Sequence, residues 1–169
     1  MKNKVIIGIS GKMGSGKTTM TNEIIKSIGG IRVSLAKPIY ELQETVYSQL
    51  GIKLEGAKDR DLMIALGVWG RNKNPDFWLS QLDNYIETCE HDVIICDDIR
   101  FPNEAEYFKK KGVVIRLHGL QRGDNVDHNV NDVTETALDE YDFDHYMDNR
   151  RSIDQNAVDL INLIKRSMV

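Results

Sequence analysis

The chain has 169 residues, of which 41% are hydrophobic, and a formal net charge of −4. That length fits one domain whose core needs no disulfide or structural metal. The negative charge argues against binding to nucleic acid or to an anionic membrane through the field of the whole molecule, so an anionic substrate must be captured by local arginines and lysines.

The two cysteines, Cys89 and Cys96, lack the spacing of a metal or redox motif and indicate incidental or buried thiols in a reducing compartment. The apolar part of the N-terminus is too short for a signal peptide and leads directly into a glycine-rich loop. No apolar run approaches the length needed to span a membrane. We therefore expect a soluble, cytoplasmic protein.

Hydrophobic patterns along the chain alternate between those of strands and those of helices. This order predicts an α/β fold with three αβα layers and a mostly parallel sheet of about five strands. In chain order, the predicted elements are a strand at 5–9, a helix ending at Gly29, a strand at 31–35, a helix from Pro38 to Gly51, a helix around 62–69, a helix opening at Pro75, a strand at 92–97, a helix at 102–111, a strand at 112–119, a short strand at 143–149 and a helix at 153–164.

No internal repeat, low-complexity tract or proline- and serine-rich linker interrupts this pattern, so we expect a single domain over 1–169. The polar stretch at about 119–133 is either a plain surface loop or a mobile lid. His128 within it is either a solvated side chain or a lid residue that touches phosphate. The apolar stripe of the last helix can pack on its own sheet or on a second copy, which leaves a homodimer open.

Residues 11–18 read G-K-M-G-S-G-K-T and fit the phosphate-loop pattern GxxxxGK[ST] in full. Glycines allow backbone N–H groups to approach phosphate oxygens, and the following helix N-terminus adds positive potential. Lys17 can reach the outer phosphates and the Thr18 hydroxyl can ligate Mg²⁺. A chance glycine-rich turn is the alternative, but the strand before and the helix after favour ATP and Mg²⁺ as cofactors. The predicted cofactor-binding residues are Gly11, Lys12, Met13, Gly14, Ser15, Gly16, Lys17, Thr18 and Thr19.

Two carboxylates, Asp97 and Asp98, end the predicted strand at 92–97. Ligands of such sheets gather at the carboxyl ends of the strands, which favours a metal-binding role over a solvated strand end. Successive residues of a strand point to opposite faces, so only one of the two is expected to face the metal. The pattern leaves open which one.

Five arginines in the middle of the sequence could stabilise transferred phosphate, because the guanidinium group binds phosphate oxygens with two hydrogen bonds. On one continuous helix, Arg60 and Arg71 would lie about 16 Å apart and could not easily clamp one phosphate unless a glycine at 67 or 70 breaks the helix. The chain contains no NKxD motif for guanine, which favours a kinase over a switch protein. The five are Arg60, Arg71, Arg100, Arg116 and Arg122.

Two stretches, D-R-D-L-M-I-A-L-G-V-W-G-R-N-K-N-P-D-F-W and V-I-I-C-D-D-I-R-F-P-N-E, resemble the deoxynucleoside monophosphate kinases of bacteriophages. The resemblance runs from about Val5 to about Asn149, and its D-x-R-F-x-N-E segment is more specific than the phosphate loop. The segments L-A-K-P-I-Y-E and T-E-T-A-L-D are also similar to that family. The matching residues in the D-x-R-F-x-N-E segment are Asp98, Arg100, Phe101, Asn103 and Glu104. Those in the stretch at 59–78 are Arg60, Leu66, Gly67, Arg71, Pro75, Asp76 and Trp78.

The resemblance implies a nucleoside monophosphate kinase-like P-loop fold with a short lid, and transfer of the γ-phosphoryl group of ATP to a deoxynucleoside monophosphate. It implies a helical substrate-binding region at about 38–90. Many family members carry aspartate where this chain has Thr18. The implied catalytic residues are Lys17, Arg100, Asp98 and Arg122. The implied substrate-binding residues are Lys37, Arg60, Arg71, Trp78, Asp98, Arg100 and Glu104, and the implied metal ligands are Thr18 and Asp98.

Several alternatives stay open at this level. Trp78 shares a helical stripe with Leu82 and Tyr85, which favours a core or pocket-wall position over stacking on a base. The acceptor could be another small metabolite, in which case an alcohol would need a base and Asp98 could serve. A regulatory protein that binds ATP without turnover is the third hypothesis. The resemblance also implies a phage origin and action in a bacterial cytoplasm, with the accepted bases unassigned.

Overall fold

The computed structural model describes residues 4–119 and 136–167, which fall into two compact units. The second unit is Ser34–Cys89 and the first contains the described residues on either side of it. Elements of the first unit are β1 (Val5–Ser10), α1 (Lys17–Ile28), β2 (Ile31–Val33), β3 (Val93–Ile99), α5 (Pro102–Lys111), β4 (Val113–His118), β5 (His145–Asp148) and α6 (Ile153–Ser167). Elements of the second unit are α2 (Lys37–Leu50), α3 (Arg60–Lys73) and α4 (Phe77–Thr88).

The first unit is built on a five-stranded sheet in the order β2-β3-β1-β4-β5, in which every neighbouring pair is parallel. The central strand β1 is buried along its whole length, as its continuous apolar run predicts. Ile7 pairs with Ile95 on one side and with Val113 on the other. Since parallel strands end at one edge, the loop after β1 and the residues after β3 and β4 share that edge.

Helices cover both faces of this sheet, which confirms the predicted three-layer α/β fold. On one face, α1 and α6 pack on the sheet through a continuous cluster that includes Ile24 and Leu160. On the other face, α5 packs so closely that a Cβ atom added at Gly8 would lie 2.7 Å from the ring of Phe108. The apolar stripe of α6 therefore packs on its own sheet, which was one of the two alternatives for that helix.

Three helices form the second unit. Helix α3 runs without a break through Gly67 and Gly70, so it lacks the break that a joint clamp by Arg60 and Arg71 would need. Tyr85 is exposed, although it was expected on the buried stripe with Trp78. Within the described residues, no helix is both long and apolar enough to cross a bilayer.

Helix α3 begins at an aspartate that accepts hydrogen bonds from two directions. Asp59 Oδ1 accepts from Leu62 N at 3.0 Å, and its Oδ2 accepts from the Tyr47 hydroxyl at 2.7 Å. The backbone N–H of Asp59 in turn donates to Gln43 Oε1 at 2.7 Å. These hydrogen bonds to Leu62 and Tyr47 hold the pKa of Asp59 below its ordinary value.

An Asp59→Asn variant should therefore be less stable than wild type at neutral pH and approach it in acid. A lowered pKa in the folded state means that ionised Asp59 stabilises the fold above the ordinary carboxyl pKa, and that this contribution disappears as the pH falls. Asparagine keeps the helix cap but has no charge to lose. Melting temperatures measured from pH 7 to about pH 3 should show a shrinking difference. A difference that stays constant would contradict the assignment.

Candidate functional site

The loop between β1 and α1 adopts a backbone that its glycines permit. Gly14 and Gly16 have φ values of 74° and 88°, in the left-handed region that other residues rarely adopt. At Gly11 the reason is space, because an added Cβ atom would lie 2.6 Å from the carbonyl oxygen of Leu117. The loop ends at the N-terminus of α1, where backbone N–H groups and the helix dipole attract anions. These features explain why one short turn contains three glycines.

Lys17, the first residue of α1, reaches back to the loop that precedes it. Its Nζ donates hydrogen bonds to the carbonyl oxygen of Gly11 at 2.7 Å and to that of Lys12 at 2.9 Å, and lies 3.5 Å from Ser15 Oγ. The ammonium group is thus held against the backbone of the loop. Thr18 and Thr19 follow in the first turn with exposed side chains.

Asn149, which directly follows β5, contacts this loop and was not singled out from the sequence. Its Nδ2 donates to the carbonyl oxygen of Ser15 at 3.0 Å, and its backbone N–H donates to the carbonyl oxygen of His118 at 2.8 Å. The side chain is buried. A single asparagine 134 positions from Ser15 carries no local signal for such a contact.

A cavity of about 330 Å³ borders the same loop. Asn156 on α6 is buried at its wall and donates from Nδ2 to the carbonyl oxygen of Asp148 at 2.8 Å. Its Oδ1 has no hydrogen-bond partner among the described residues. The cavity therefore combines glycine backbone with two buried asparagines. Its lining residues are Gly14, Ser15, Gly16, Thr19, Met20, Leu117, Asn149 and Asn156.

The two carboxylates of β3 have different surroundings, as strand alternation predicts. The side chain of Asp97 is 0% exposed, and Arg32 Nε donates to its two oxygens at 2.8 and 2.9 Å. The hydrogen bond to Asp97 raises the pKa of Arg32 above its ordinary value. Asp98 is half-buried and accepts from the thiol of Cys96 at 3.1 Å. The negative charge of Asp97 is thus compensated by Arg32, and the metal-binding role of Asp98 stays a prediction.

The residues after β3 are held by Glu104 on α5. Glu104 Oε2 accepts hydrogen bonds from the backbone N–H groups of Arg100 at 2.8 Å and Phe101 at 3.1 Å. Glu104 is buried, so its carboxylate serves here to fix the turn that carries Arg100. A direct contact of Glu104 or Arg100 with a substrate stays a prediction.

The remaining predicted substrate residues belong to the second unit. Arg60 and Arg71 lie on the continuous helix α3, eleven positions and about 16 Å apart, and their roles at a substrate stay predictions. Lys37 is exposed at the start of α2, where its Nζ lies 5.7 Å from the centre of the Tyr85 ring.

Trp78 is 3% exposed, and its Nε1 donates to the carbonyl oxygen of Gly67 at 3.1 Å. A Cβ atom added at Gly70 would lie 2.6 Å from the Trp78 ring. The glycines of α3 therefore make room for this ring instead of breaking the helix. The burial of Trp78 agrees with its interpretation as a core or pocket-wall residue, and a contact with substrate stays a prediction.

Arg122 and His128 lie outside the described residues, as does the predicted lid at 119–133 apart from Gly119. Within residues 4–119 and 136–167, no cluster of three or more histidine, cysteine, aspartate or glutamate side chains could hold a metal ion. The described part of the site therefore consists of the phosphate loop, its neighbouring cavity and the acidic end of β3.

Curated proteins similar to this chain include two uridine kinases. The chain is 41% identical over 70 residues to the uridine kinase of Staphylococcus haemolyticus (strain JCSC1435), and likewise to that of Staphylococcus aureus (strain JH9). Each match covers 38% of this chain and 34% of the relative. The chain thus spans about a third of the length of these relatives. No protein-family model matches it.

Solved kinase structures resemble the chain over nearly its whole length. A gluconokinase from Sinorhizobium meliloti 1021 superimposes with a TM-score of 0.59 at 12% identity, covering 99% of this chain and 95% of that one. A shikimate kinase from Bacteroides thetaiotaomicron gives 0.54 at 18% identity, covering 95% and 98%. Identities this low show the fold alone, and that fold is the P-loop kinase fold predicted from the sequence.

Proposed function

We propose that this chain is an ATP-dependent kinase whose phosphate donor binds at the glycine loop of residues 11–18. The observation that carries the proposal is the position of Lys17, whose ammonium group is bound by the carbonyl oxygens of Gly11 and Lys12 at the N-terminus of α1. A bound triphosphate would meet this cation together with the loop N–H groups. Phosphoryl transfer depends mainly on such positioning and charge stabilisation.

The cavity of about 330 Å³ beside the loop supports ATP as the donor, because it offers room for a nucleoside next to the phosphate site. Its backbone and glycine surface would accept a flat base.

The cofactor ion that we propose is Mg²⁺, because oxygen donors are available at this edge of the sheet. Thr18 is exposed in the first turn of α1, and Asp98 is half-buried at the end of β3. Protein Mg²⁺ sites of this kind use one or two oxygen side chains and take further ligands from substrate phosphates, so a dedicated acidic cluster is not required. Thr18 and Asp98 would hold the ion, which would neutralise phosphate charge when bound.

For the acceptor we propose a deoxynucleoside monophosphate. The D-x-R-F-x-N-E motif supports this choice, and Glu104 holds the turn in which Arg100 follows β3. A phosphate acceptor is already anionic and needs no general base, so the arginines would supply charge and orientation. Arg60 and Arg71 are proposed to contribute to acceptor binding, and Arg122 to stabilise the donor. The setting we infer is the cytoplasm of a bacterial host, where ATP and these nucleotides are available.

A nucleoside acceptor is the second candidate, because the local similarity to uridine kinases favours it. The attacking group would then be a hydroxyl, whose proton has to be removed during transfer. Asp98 would be the base. This candidate differs from the first in requiring a carboxylate that accepts a proton.

A coupled ADP-release assay with MgATP would test the proposal against the four common deoxynucleoside monophosphates, their ribose counterparts and uridine. We expect turnover with one or more deoxynucleoside monophosphates, and its loss in Lys17→Ala and Arg100→Ala variants. Turnover with uridine alone would favour the second candidate. ATP binding without turnover on any member of the panel would contradict the deoxynucleotide assignment and redirect the search to other metabolites.

A further inference from the structure

Three charged side chains meet beside the phosphate loop, and one of them follows the predicted lid in the sequence. Asp139 Oδ2 lies 2.8 Å from Lys12 Nζ, and its Oδ1 lies 2.8 Å from Arg116 Nη2. Arg116 Nη1 donates in turn to Ser10 Oγ at 2.9 Å. A single carboxylate therefore joins the phosphate loop to strand β4, and the arginine of that strand is joined to the end of β1.

Arg116 has the most buried side chain of the three charged residues. Its side chain is 13% exposed, and its guanidinium carbon lies 5.6 Å from the centre of the Phe143 ring. Lys12 and Asp139 are about one-third and two-fifths exposed. A carboxylate bound to a largely buried guanidinium that lies over an aromatic ring has a defined position, so Asp139 can serve as an anchor for Lys12.

Lys12 connects Asp139 to the phosphate-binding loop. Its carbonyl oxygen accepts from Lys17 Nζ at 2.9 Å and from the backbone N–H of Ser15 at 3.2 Å. The position of Lys12 therefore helps to determine the position of Lys17 and the curvature of the loop. Glycines at 11 and 14 give this half of the loop conformational freedom that a side-chain tether would restrict.

We propose that Asp139 is a positioning residue for the phosphate donor: it holds Lys12 in place and so fixes the loop that binds phosphate. This inference rests on the proposed binding of ATP at the loop. An ordered loop binds phosphate more tightly than a free one, because its ordering cost is met during folding. The half-exposed contact between Lys12 and Asp139 contributes little to global stability. Its effect should therefore appear in nucleotide affinity.

Isothermal titration calorimetry, which measures the affinity of the full chain for MgATP, tests this role. We expect Asp139→Asn to weaken MgATP binding roughly three- to tenfold, the cost of ordering one released side chain and its loop. In a Lys12→Met background the same substitution should change affinity by less than about twofold, because the tether is already absent. Asp139→Glu should restore most of the lost affinity.

Glu140→Gln is the matched control, since it removes one exposed negative charge at the neighbouring position. It should leave affinity and melting temperature unchanged. Wild-type affinity in Asp139→Asn, or an equal loss with and without Lys12, would overturn the positioning role. Failure of the wild-type chain to bind MgATP would instead overturn the proposed function, so the two failures are distinguishable.

Discussion

A Lys17→Met variant is expected to lose roughly two to three orders of magnitude of kcat while keeping its fold. In the structure, Lys17 Nζ is held by the carbonyl oxygens of Gly11 and Lys12, within the loop that would bind the donor phosphates. Charge on the bridging and terminal oxygens changes most during transfer, so a cation fixed there stabilises the transition state more than bound ATP. Coupled ADP release at saturating MgATP and acceptor measures the loss.

The control for this substitution is Lys26→Met, on the same helix. Lys26 is largely exposed, and its Nζ lies 3.1 Å from the carboxylate of Glu23, one turn earlier on α1. It should keep wild-type turnover, and melting temperatures should show that both variants remain folded. A Lys17→Met enzyme with kcat within about threefold of wild type would place the transferred phosphate elsewhere and remove the main support for the proposed donor site.

The architecture of the first unit follows from local sequence patterns because its strands are buried on both faces. Continuous apolar runs such as residues 5–9 have one stable placement, in a parallel sheet covered by helices. Glycines at helix ends are equally local signals, and Gly51 has a φ of 63° where it ends α2. Strand β2 is shorter than predicted, because only Ile31–Val33 pairs with β3.

The phosphate loop could be predicted because the residues that shape it are consecutive. Its supports could not, since Asn149 and Asp139 lie far away in sequence and are ordinary polar residues without the fold. The role of the glycines at 67 and 70 could not be predicted either, because the ring of Trp78, from the next helix, occupies the space they leave. Such roles depend on packing between elements, and the residue pattern within one element does not reveal that packing.

An Arg32→Met variant should lower the free energy of unfolding by about 3 kcal/mol, the lower end of the range for breaking a buried ion pair. Asp97 is 0% exposed and receives two hydrogen-bond contacts from Arg32 Nε, so the variant leaves a buried carboxylate without its cation. The lower end applies because the Arg32 side chain is 39% exposed. Urea unfolding at neutral pH measures the change.

The reciprocal variant separates the cost of the buried charge from the loss of packing. Asp97→Asn should be less damaging than Arg32→Met, because the half-exposed guanidinium can turn to solvent whereas the carboxylate cannot. The double variant should recover much of the stability lost in Arg32→Met, since no unpaired charge is then buried. Arg151→Met, which breaks an exposed pair with Asp159, should cost less than about 1 kcal/mol. A double variant as unstable as Arg32→Met would mean that the loss of stability does not come from the unpaired charge of Asp97.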